Sequence, residues 1–466
     1  MADEKLTNRW MIVLGALVIQ VSLGAVYIWS VFQTPLRGVF EDWSETQVTL
    51  PAQLVLAAFA LAVIFGGRIQ DKLGPRIVGV TGGIILGTGL ILSRFTGAFS
   101  GNMALAWLIF TFAILGGIGI GMAYVCPIAT CVKWFPDKRG LITGLAVAGF
   151  GAGAFFFAPL ARALIDGGYY RLFGVNLFSM PQVGVFNTFM TLGIIFLVAV
   201  VLGSLLLKNP PAGYAPPGWT PPQPVASAGA AAHKVDYTPS EMVKTPMFWI
   251  LWITYFAGCT AGLQVIMKAS PVWQSFSINA LLDSTAPIGE SAFIDIASAG
   301  AVAVAILAIF NAIGRIFWGK VSDSLGRKHT LIIMFVICGT LMLALDWMRA
   351  YPLYLFSVCV VALCFGGYLA LYPAVTADFY GTKHIGVNYG CMFTAYGAGG
   401  LFGPFLAAWL MRIAKTVEYE ATNTQGELVT RAFEVGDYRI AFLLSGAACL
   451  AAAVLMLAVK APTAKA

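Results

Sequence analysis

The chain has 466 residues, of which 59% are hydrophobic and only 11% are charged, and its formal net charge is +7. A soluble domain carries about 25% charged residues, so a chain this apolar is expected to have a lipid bilayer as its solvent. The basic residues lie in short loops rather than in one patch, which argues against nucleic acid as a partner. A membrane β-barrel is also excluded, because we find no alternation of apolar and polar residues in segments of about ten.

Apolar runs of membrane length recur along the chain and predict about twelve transmembrane helices, since backbone polar groups in lipid must be bonded within the segment. The Pro-, Ala- and Gly-rich stretch 208–245 predicts a flexible linker between two halves, residues 1–207 and 246–466. The polar segment 413–437 is predicted to be a solvated outer loop. The predicted helices cover residues 11–32, 47–67, 77–95, 103–132, 139–165, 185–207, 246–270, 294–318, 328–348, 352–378, 386–412 and 438–460.

An even number of crossings places both termini on the same side of the membrane. Most of the 28 Lys and Arg residues fall on that side, including those of the linker. By the positive-inside rule, both termini are expected in the cytoplasm, with the chain embedded as a multi-pass protein in a bacterial inner (plasma) membrane. We expect it to act as a monomer.

The two halves repeat one loop motif. Glycine lets two helix ends approach closely, and an aspartate can accept hydrogen bonds from a helix N-terminus or an arginine, so the motif predicts a gate on the cytoplasmic side. The motif residues are Gly67, Asp71, Lys72 and Arg76 in the first half and Gly319, Asp323 and Arg327 in the second. A second match, at one constant offset, pairs Pro127, Thr130, Gly140 and Gly144 with Pro373, Thr376, Gly386 and Gly390.

The duplicated pattern G-x-x-x-D-[RK]-x-G-x-[RK] resembles the signature loops of the major facilitator superfamily. The resemblance covers the whole chain. It implies an all-α membrane protein of the major-facilitator type, with about twelve transmembrane helices in two pseudo-symmetric six-helix bundles around a central cavity, and transport by alternating access.

Catalytic and cofactor-dependent classes find no support in the residues. The chain contains no G-x-x-x-x-G-K-[ST] loop for ATP, and no Cys/His cluster has the spacing of metal ligands. The three histidines, His233, His329 and His384, fall in predicted cytoplasmic segments. We therefore expect neither an enzyme nor a bound cofactor or metal.

The strongest candidate for the substrate site is Arg315, in the predicted eighth helix. A charged side chain in mid-helix costs about 2.5–3.5 kcal/mol on insertion scales. The repeat places Val63 at the corresponding position, so the scaffold accepts an apolar residue there, and we interpret Arg315 as a ligand for substrate. The alternative is snorkelling to the nearby cytoplasmic surface. A guanidinium donates two parallel N–H bonds that fit a carboxylate.

Other residues are predicted to line the same site. Asn311, one turn before Arg315, either orients the arginine and the ligand or packs between helices. Tyrosines offer a rigid wall with a hydroxyl group, although core packing or interfacial anchoring is an equal alternative for each. The aromatic candidates are the pair Tyr368 and Tyr372, one turn apart in helix 10, together with Tyr396, its repeat mate Phe150, Tyr124 and Tyr27.

Asn311-x-x-x-Arg315, followed by Gly319-x-x-x-Asp323, resembles helix 8 of the oxalate/formate antiporter family and its bacterial monocarboxylate transporter relatives. The resemblance implies that the arginine binds a carboxylate, and Tyr368 and Tyr372 match helix 10 aromatics of the oxalate carriers. Two positions depart from the pattern. Tyr396 stands where the oxalate carriers have a lysine, and Asn311 stands where animal monocarboxylate transporters have an aspartate.

Together these observations predict a secondary active transporter of a small monocarboxylate anion of the lactate, pyruvate or formate type. Its coupling is either proton symport, with a proton as second partner, or anion exchange. The alternatives are an oxalate/formate antiporter, a sugar or drug carrier, and a membrane receptor or structural protein. A sugar carrier would want many amides and carboxylates in its helices, and a receptor a folded soluble domain. The sequence shows neither.

Overall fold

The structure, a computed structural model, describes residues 8–172, 175–211, 213–216, 236–282, 290–410, 412–422 and 428–460. A 3-10 turn, Gly24–Ile28, joins α1 to α2, and a π-helical turn, Ile109–Leu115, joins α5 to α6. The helices described before the linker are α1 (Arg9–Leu23), α2 (Ser30–Val39), α3 (Glu45–Leu73), α4 (Pro75–Ser93), α5 (Gly101–Leu108), α6 (Gly116–Trp134), α7 (Arg139–Asp166) and α8 (Gly184–Leu205).

The second half follows the same plan. A short helix, α9, precedes it and begins with a capping box in which Thr238 and Glu241 satisfy each other's backbone N–H groups. The helices described here are α9 (Pro239–Met242), α10 (Pro246–Leu282), α11 (Glu290–Leu325), α12 (Arg327–Ala344), α13 (Tyr351–Tyr380), α14 (Ile385–Leu410) and α15 (Arg439–Leu457).

Eleven helical segments in the described part of the chain are long and apolar enough to cross a bilayer. Helix α14, with 26 residues, is long enough to form a twelfth crossing. Six of these crossings precede the linker and six follow it. The predicted fold class is therefore confirmed.

The first crossing is not the continuous helix predicted for 11–32. It tightens into the 3-10 turn at Gly24–Ile28, where α1 meets α7. A Cβ atom on Gly24 would collide with the carbonyl group of Phe150, so only glycine permits this approach. The turn carries Tyr27, and the contact therefore places a predicted site residue beside α7.

The segment 413–437 is not the loop that its polarity predicted. Strands β3 (Arg412–Thr422) and β4 (Leu428–Asp437) form an antiparallel hairpin, and the N–H of Gly436 donates to the Ser275 hydroxyl of α10 at 3.1 Å. Its Val, Thr, Tyr and Phe residues favour strands even between charged neighbours. A second hairpin, β1 (Gly168–Leu172) with β2 (Val175–Met180), joins α7 to α8.

The two halves meet mainly through two helix pairs, α3 with α14 and α7 with α11. At the end where the linker leaves α8 and enters α9, here called the linker end, an aspartate closes each pair. The carboxylate of Asp71 accepts hydrogen bonds from the N–H groups of Gly386 and Val387, at 3.0 and 2.9 Å. These are free donors in the first turn of α14, and the helix dipole favours an anion there.

Asp323 repeats this contact in the other pair. It accepts from the N–H groups of Gly140 and Leu141, in the first turn of α7, at 2.9 and 2.8 Å. Glycines make both contacts possible. A Cβ atom on Gly319 would collide with the Gly140 carbonyl, and one on Gly67 would collide with the Gly386 carbonyl. The linker end is therefore closed in this structure.

Among the described residues, ion pairs reinforce one of the two contacts, that of Asp323. Arg327 lies 2.6 Å from Asp323 and 3.0 Å from Asp378 of α13, and Arg139 of α7 lies 2.6 Å from the same Asp378. Lys72 and Arg76, the motif cations of the first half, are exposed and form no ion pair with another described residue. The aspartate contacts are thus repeated in the two halves, while the ion pairs around them are not.

Both described ends of the linker are attached to the loops that receive the aspartates. The indole N–H of Trp134 donates to the Lys208 carbonyl at 2.6 Å. At the other end, the Tyr237 N–H donates to the Tyr380 carbonyl at 3.0 Å, and Asn388 donates to the Tyr237 carbonyl at 2.9 Å. The middle of the predicted linker, residue 212 and residues 217–235, lies outside the described residues.

Replacing Gly319 with Val should hold the linker end open. The added side chain must push α7 away, and overpacking of this kind costs about 1–3 kcal/mol. Hydrogen exchange at the Gly140 and Leu141 amides, measured by mass spectrometry, should therefore accelerate by roughly 5- to 150-fold. Gly38→Val is the matched control, because a Cβ atom on Gly38 meets nothing within 4 Å. Unchanged exchange in Gly319→Val would contradict the assignment of this contact.

Candidate functional site

Arg315 lies in the second half, on the face of α11 that packs against α7 of the first half. Its exposed fraction is 0%, so the side chain does not snorkel to the membrane surface. A Cβ atom on Gly144 would collide with the Arg315 carbonyl, which shows how closely the two backbones approach. The guanidinium is therefore held inside the protein, at the junction of the two halves.

The hydrogen bonds of the guanidinium are incomplete. Nη1 donates to the Val147 carbonyl of α7 at 2.5 Å, while Nε and Nη2 have no partner among the described residues. The N–H bonds of Nε and Nη2 point the same way along one edge of the planar group. Such an edge binds both oxygens of a carboxylate at once. The unused donors are thus the pair that a carboxylate needs.

A bridge between tyrosine hydroxyls lies in the same region. Tyr27, in the turn after α1, and Tyr396, in α14, are 2.6 Å apart at their hydroxyl oxygens, so this bond joins the two halves. The ring of Phe150 packs edge-on against Tyr27 at 5.4 Å and against Tyr124 at 5.3 Å between ring centroids. Four of the predicted aromatic residues are therefore brought together.

Two further aromatic residues, which the sequence interpretation missed, complete this cluster. Phe59 of α3 lies 5.0 Å from Tyr124 and 5.2 Å from Phe393 of α14, between ring centroids. Phe393 stacks on Tyr396 at 4.7 Å. The sequence positions of both residues could have indicated the site. Phe393 precedes Tyr396 by about one helical turn, and Phe59 precedes Val63, the repeat mate of Arg315, by one turn.

The electrostatic character of the site follows from its composition. Arg315 lies close enough to Tyr27 and Tyr124 for its charge to act on both side chains. No carboxylate forms an ion pair with Arg315 in the described part of the chain. The site therefore combines one full positive charge, aromatic walls and a few hydroxyl groups. Burial without a counterion is costly, and an anion that enters the site relieves this cost.

Asn311 lies one turn before Arg315 and faces α13. A Cβ atom on Gly366 of α13 would collide with the Asn311 carbonyl and lie 2.9 Å from its side-chain oxygen Oδ1. That oxygen has no hydrogen-bond partner among the described residues. Asn311 is thus part of the α11–α13 contact and keeps one free acceptor.

Tyr368 and Tyr372 contact other helices of the second half. Tyr368 stacks on Phe335 of α12 at 4.7 Å between ring centroids. Tyr372 stacks on Tyr255 of α10 at 4.0 Å, and its hydroxyl lies 2.7 Å from that of Thr254. These contacts lie inside the second half, so the structure does not bring this predicted pair to the Arg315 cluster.

The family model described as the Major Facilitator Superfamily matches residues 6–294 and 274–466. The chain belongs to the Major Facilitator Superfamily. The predicted resemblance is therefore confirmed, and the protein is a multi-pass membrane transporter rather than an enzyme.

Relatives support the narrower resemblance at modest identity. The chain is 29% identical to the MFS-type transporter YhjX of Escherichia coli, over 84% of this chain and 86% of that protein. It is 28% identical to the oxalate:formate antiporter of Oxalobacter formigenes, over 86% and 85%. It is 24% identical to monocarboxylate transporter 12 of Rattus norvegicus, over 96% and 84%.

A solved structure supports the fold. The proton:xylose symporter XylE, bound to 6-bromo-6-deoxy-D-glucose, superposes with a TM-score of 0.64 at 14% identity. The match covers 96% of this chain and 95% of that chain. At this identity the likeness concerns the fold alone, so the substrate must be argued from the residues of the site.

Proposed function

We propose that the protein is a secondary active transporter of a small monocarboxylate such as lactate, pyruvate or formate. The observation that carries the proposal is the free Nε–Nη2 edge of Arg315, fully buried beside aromatic rings and hydroxyl groups. A guanidinium stays protonated at any physiological pH, so the site selects anions. Two parallel charge-assisted hydrogen bonds fix the plane of a carboxylate, and the aromatic walls suit a short apolar substituent.

The charge balance favours a monoanion. One guanidinium neutralises one carboxylate, whereas a dianion would leave a net negative charge in a medium of low dielectric constant. An oxalate/formate antiporter is the second candidate, supported by the similarity to the Oxalobacter formigenes protein. Tyr396 argues against it, because the resemblance places a lysine of the oxalate carriers at this position.

Transport follows an alternating-access cycle in this proposal. The two halves, residues 1–207 and 246–466, rock about the bound anion while the linker 208–245 joins them. Opening of the linker end breaks the contacts of Asp71 and Asp323 with the helix N-termini. We place the linker end in the cytoplasm of a bacterial inner membrane, because most basic residues lie there, and we take the monomer as the working unit.

The surroundings of Arg315 favour exchange over proton symport as the mode of coupling. A symporter must return empty, and a protonatable carboxylate near Arg315 would neutralise the arginine on that return. Among the described residues no such carboxylate contacts it. An unpaired buried charge makes the empty return slow, so a second anion is the more effective counterion for the way back.

Replacing Arg315 with Gln should abolish lactate uptake by reconstituted liposomes. The variant loses a charge-assisted contact of about 1.5–3 kcal/mol, so uptake should fall by at least about tenfold while the protein still inserts. Arg162→Gln is the matched control. Arg162 is 78% exposed near the end of α7 and lies 3.9 Å from Asp166. Near-normal uptake by Arg315→Gln would refute the site.

Replacing Tyr396 with Lys should raise oxalate uptake relative to lactate uptake. The second cation balances the second carboxylate, a gain of about 1.5–3 kcal/mol and thus roughly tenfold or more in the ratio. Tyr396→Phe controls for loss of the hydroxyl bridge to Tyr27 without adding charge. If the unmodified protein already takes up oxalate better than lactate, the argument from charge balance is wrong.

Preloading liposomes with unlabelled lactate should strongly accelerate uptake of labelled lactate, because exchange spares the carrier its empty return. Initial rates are compared in preloaded and empty liposomes, each with and without an acidified exterior. Liposomes that contain the Arg315→Gln variant measure the lactate uptake that does not depend on the substrate site. Equally fast accumulation by empty liposomes in an acidic medium would exclude exchange as the main mode, and a proton would then accompany the substrate.

A further inference from the structure

The position of the Arg315 side chain is set by atoms of the other half. Its Nη1 donates to the backbone carbonyl of Val147, one turn before Gly151 in α7. A Cβ atom built on Gly151 would lie 3.3 Å from Cζ, 3.4 Å from Nε and 3.5 Å from Nη2 of Arg315. Nearly equal distances to three atoms of a planar group place that point over its face. Gly151 therefore leaves slightly less than the space of a methyl group between the α7 backbone and the face of the guanidinium.

This arrangement leaves a single direction for the free donors. The Val147 carbonyl accepts from Nη1, and Gly151, which has no side chain, faces one side of the guanidinium plane. The remaining edge, Nε and Nη2, has no partner among the described residues. A methyl group at position 151 would lie 3.3–3.5 Å from the face, so the guanidinium would have to shift by a few tenths of an ångström, and the free edge would shift with it.

We propose that Gly151 is a positioning residue for substrate. The α7 backbone at Val147 and Gly151 aims the free Nε–Nη2 edge of Arg315 at the carboxylate. This inference rests on the proposed function, because it deepens the same site. Gly151 is intermediate in exposure, whereas Arg315 is fully buried.

Val147 and Gly151, which set the position of the guanidinium, belong to the half opposite Arg315, and this has a functional consequence. Opening the linker end must separate Gly140 from Gly319 and Gly144 from the Arg315 backbone, and these glycines lie on the same pair of helices. The Val147 carbonyl withdraws in the same movement. The aimed edge is therefore a property of the state closed at the linker end, and the site binds a carboxylate more tightly in that state than in the state open there.

The test compares Gly151→Ala with Gly149→Ala in lactate, pyruvate and formate uptake. A Cβ atom on Gly149 is equally crowded, at 3.2 Å from Gln20 and from Leu17, but touches only the first half. Gly151→Ala should raise the apparent KM about tenfold for all three acids alike, since the carboxylate is what they share. Gly149→Ala should leave KM unchanged. A loss confined to the larger acids would make Gly151 a size filter and overturn the proposal.

A lysine at position 315 provides the second measurement. Lysine has no planar group, so Gly151→Ala should cost little when combined with Arg315→Lys. Thermal unfolding in detergent of the four proteins in this cycle measures the coupling even where uptake is lost. If Gly151→Ala destabilises both backgrounds equally, the glycine serves helix packing and the inference fails. If unmodified protein transports no monocarboxylate, the proposed function fails instead, and the coupling between Gly151 and Arg315 is still measured.

Discussion

The unpaired positive charge of Arg315 is the constraint on which the interior depends. A membrane protein does not bury a guanidinium without cause, since the cost without a counterion is several kcal/mol. Here a backbone carbonyl compensates part of that cost, and two donors have no partner among the described residues. Aromatic rings exclude water from the surroundings and so strengthen any charge interaction inside. The result is a site whose most stable partner is an anion.

Binding and gating share one pair of helices. Arg315 and Gly319 are one turn apart on α11, and their contacts on α7 follow each other in the same way. Separation of these helices at the linker end therefore also acts on the contact between Arg315 and Val147. Because interiors pack densely, such a change passes between two distinct arrangements rather than a continuous range. The anion and the gate aspartates thus act on the same movement.

The helices, the two halves and the central residue of the site could be predicted from the sequence, because each depends mainly on local features of the chain. Apolar length gives the helices, the repeated motif gives the halves, and the cost of a buried charge singles out Arg315. The neighbour toward which a helix face points is harder to predict. Tyr368 and Tyr372 share a helix face, as their spacing requires, but spacing does not tell which neighbour that face meets, and here it meets α10 and α12. The hairpin formed by Arg412–Thr422 and Leu428–Asp437 was not predicted, because charged residues between the strand-forming ones made the segment resemble a polar loop.

The gate at the linker end contacts main-chain atoms in both helix pairs. Asp71 and Asp323 bind amide N–H groups, and the glycines opposite them face carbonyl oxygens. Every residue except proline presents the same amide, so Leu141 and Val387 can change their side chains without losing the contact. Gly140 and Gly386 cannot, because a Cβ atom on either would collide with the opposite half. Sequence change at the gate is therefore restricted at these two glycines and tolerated at the residue that follows each of them.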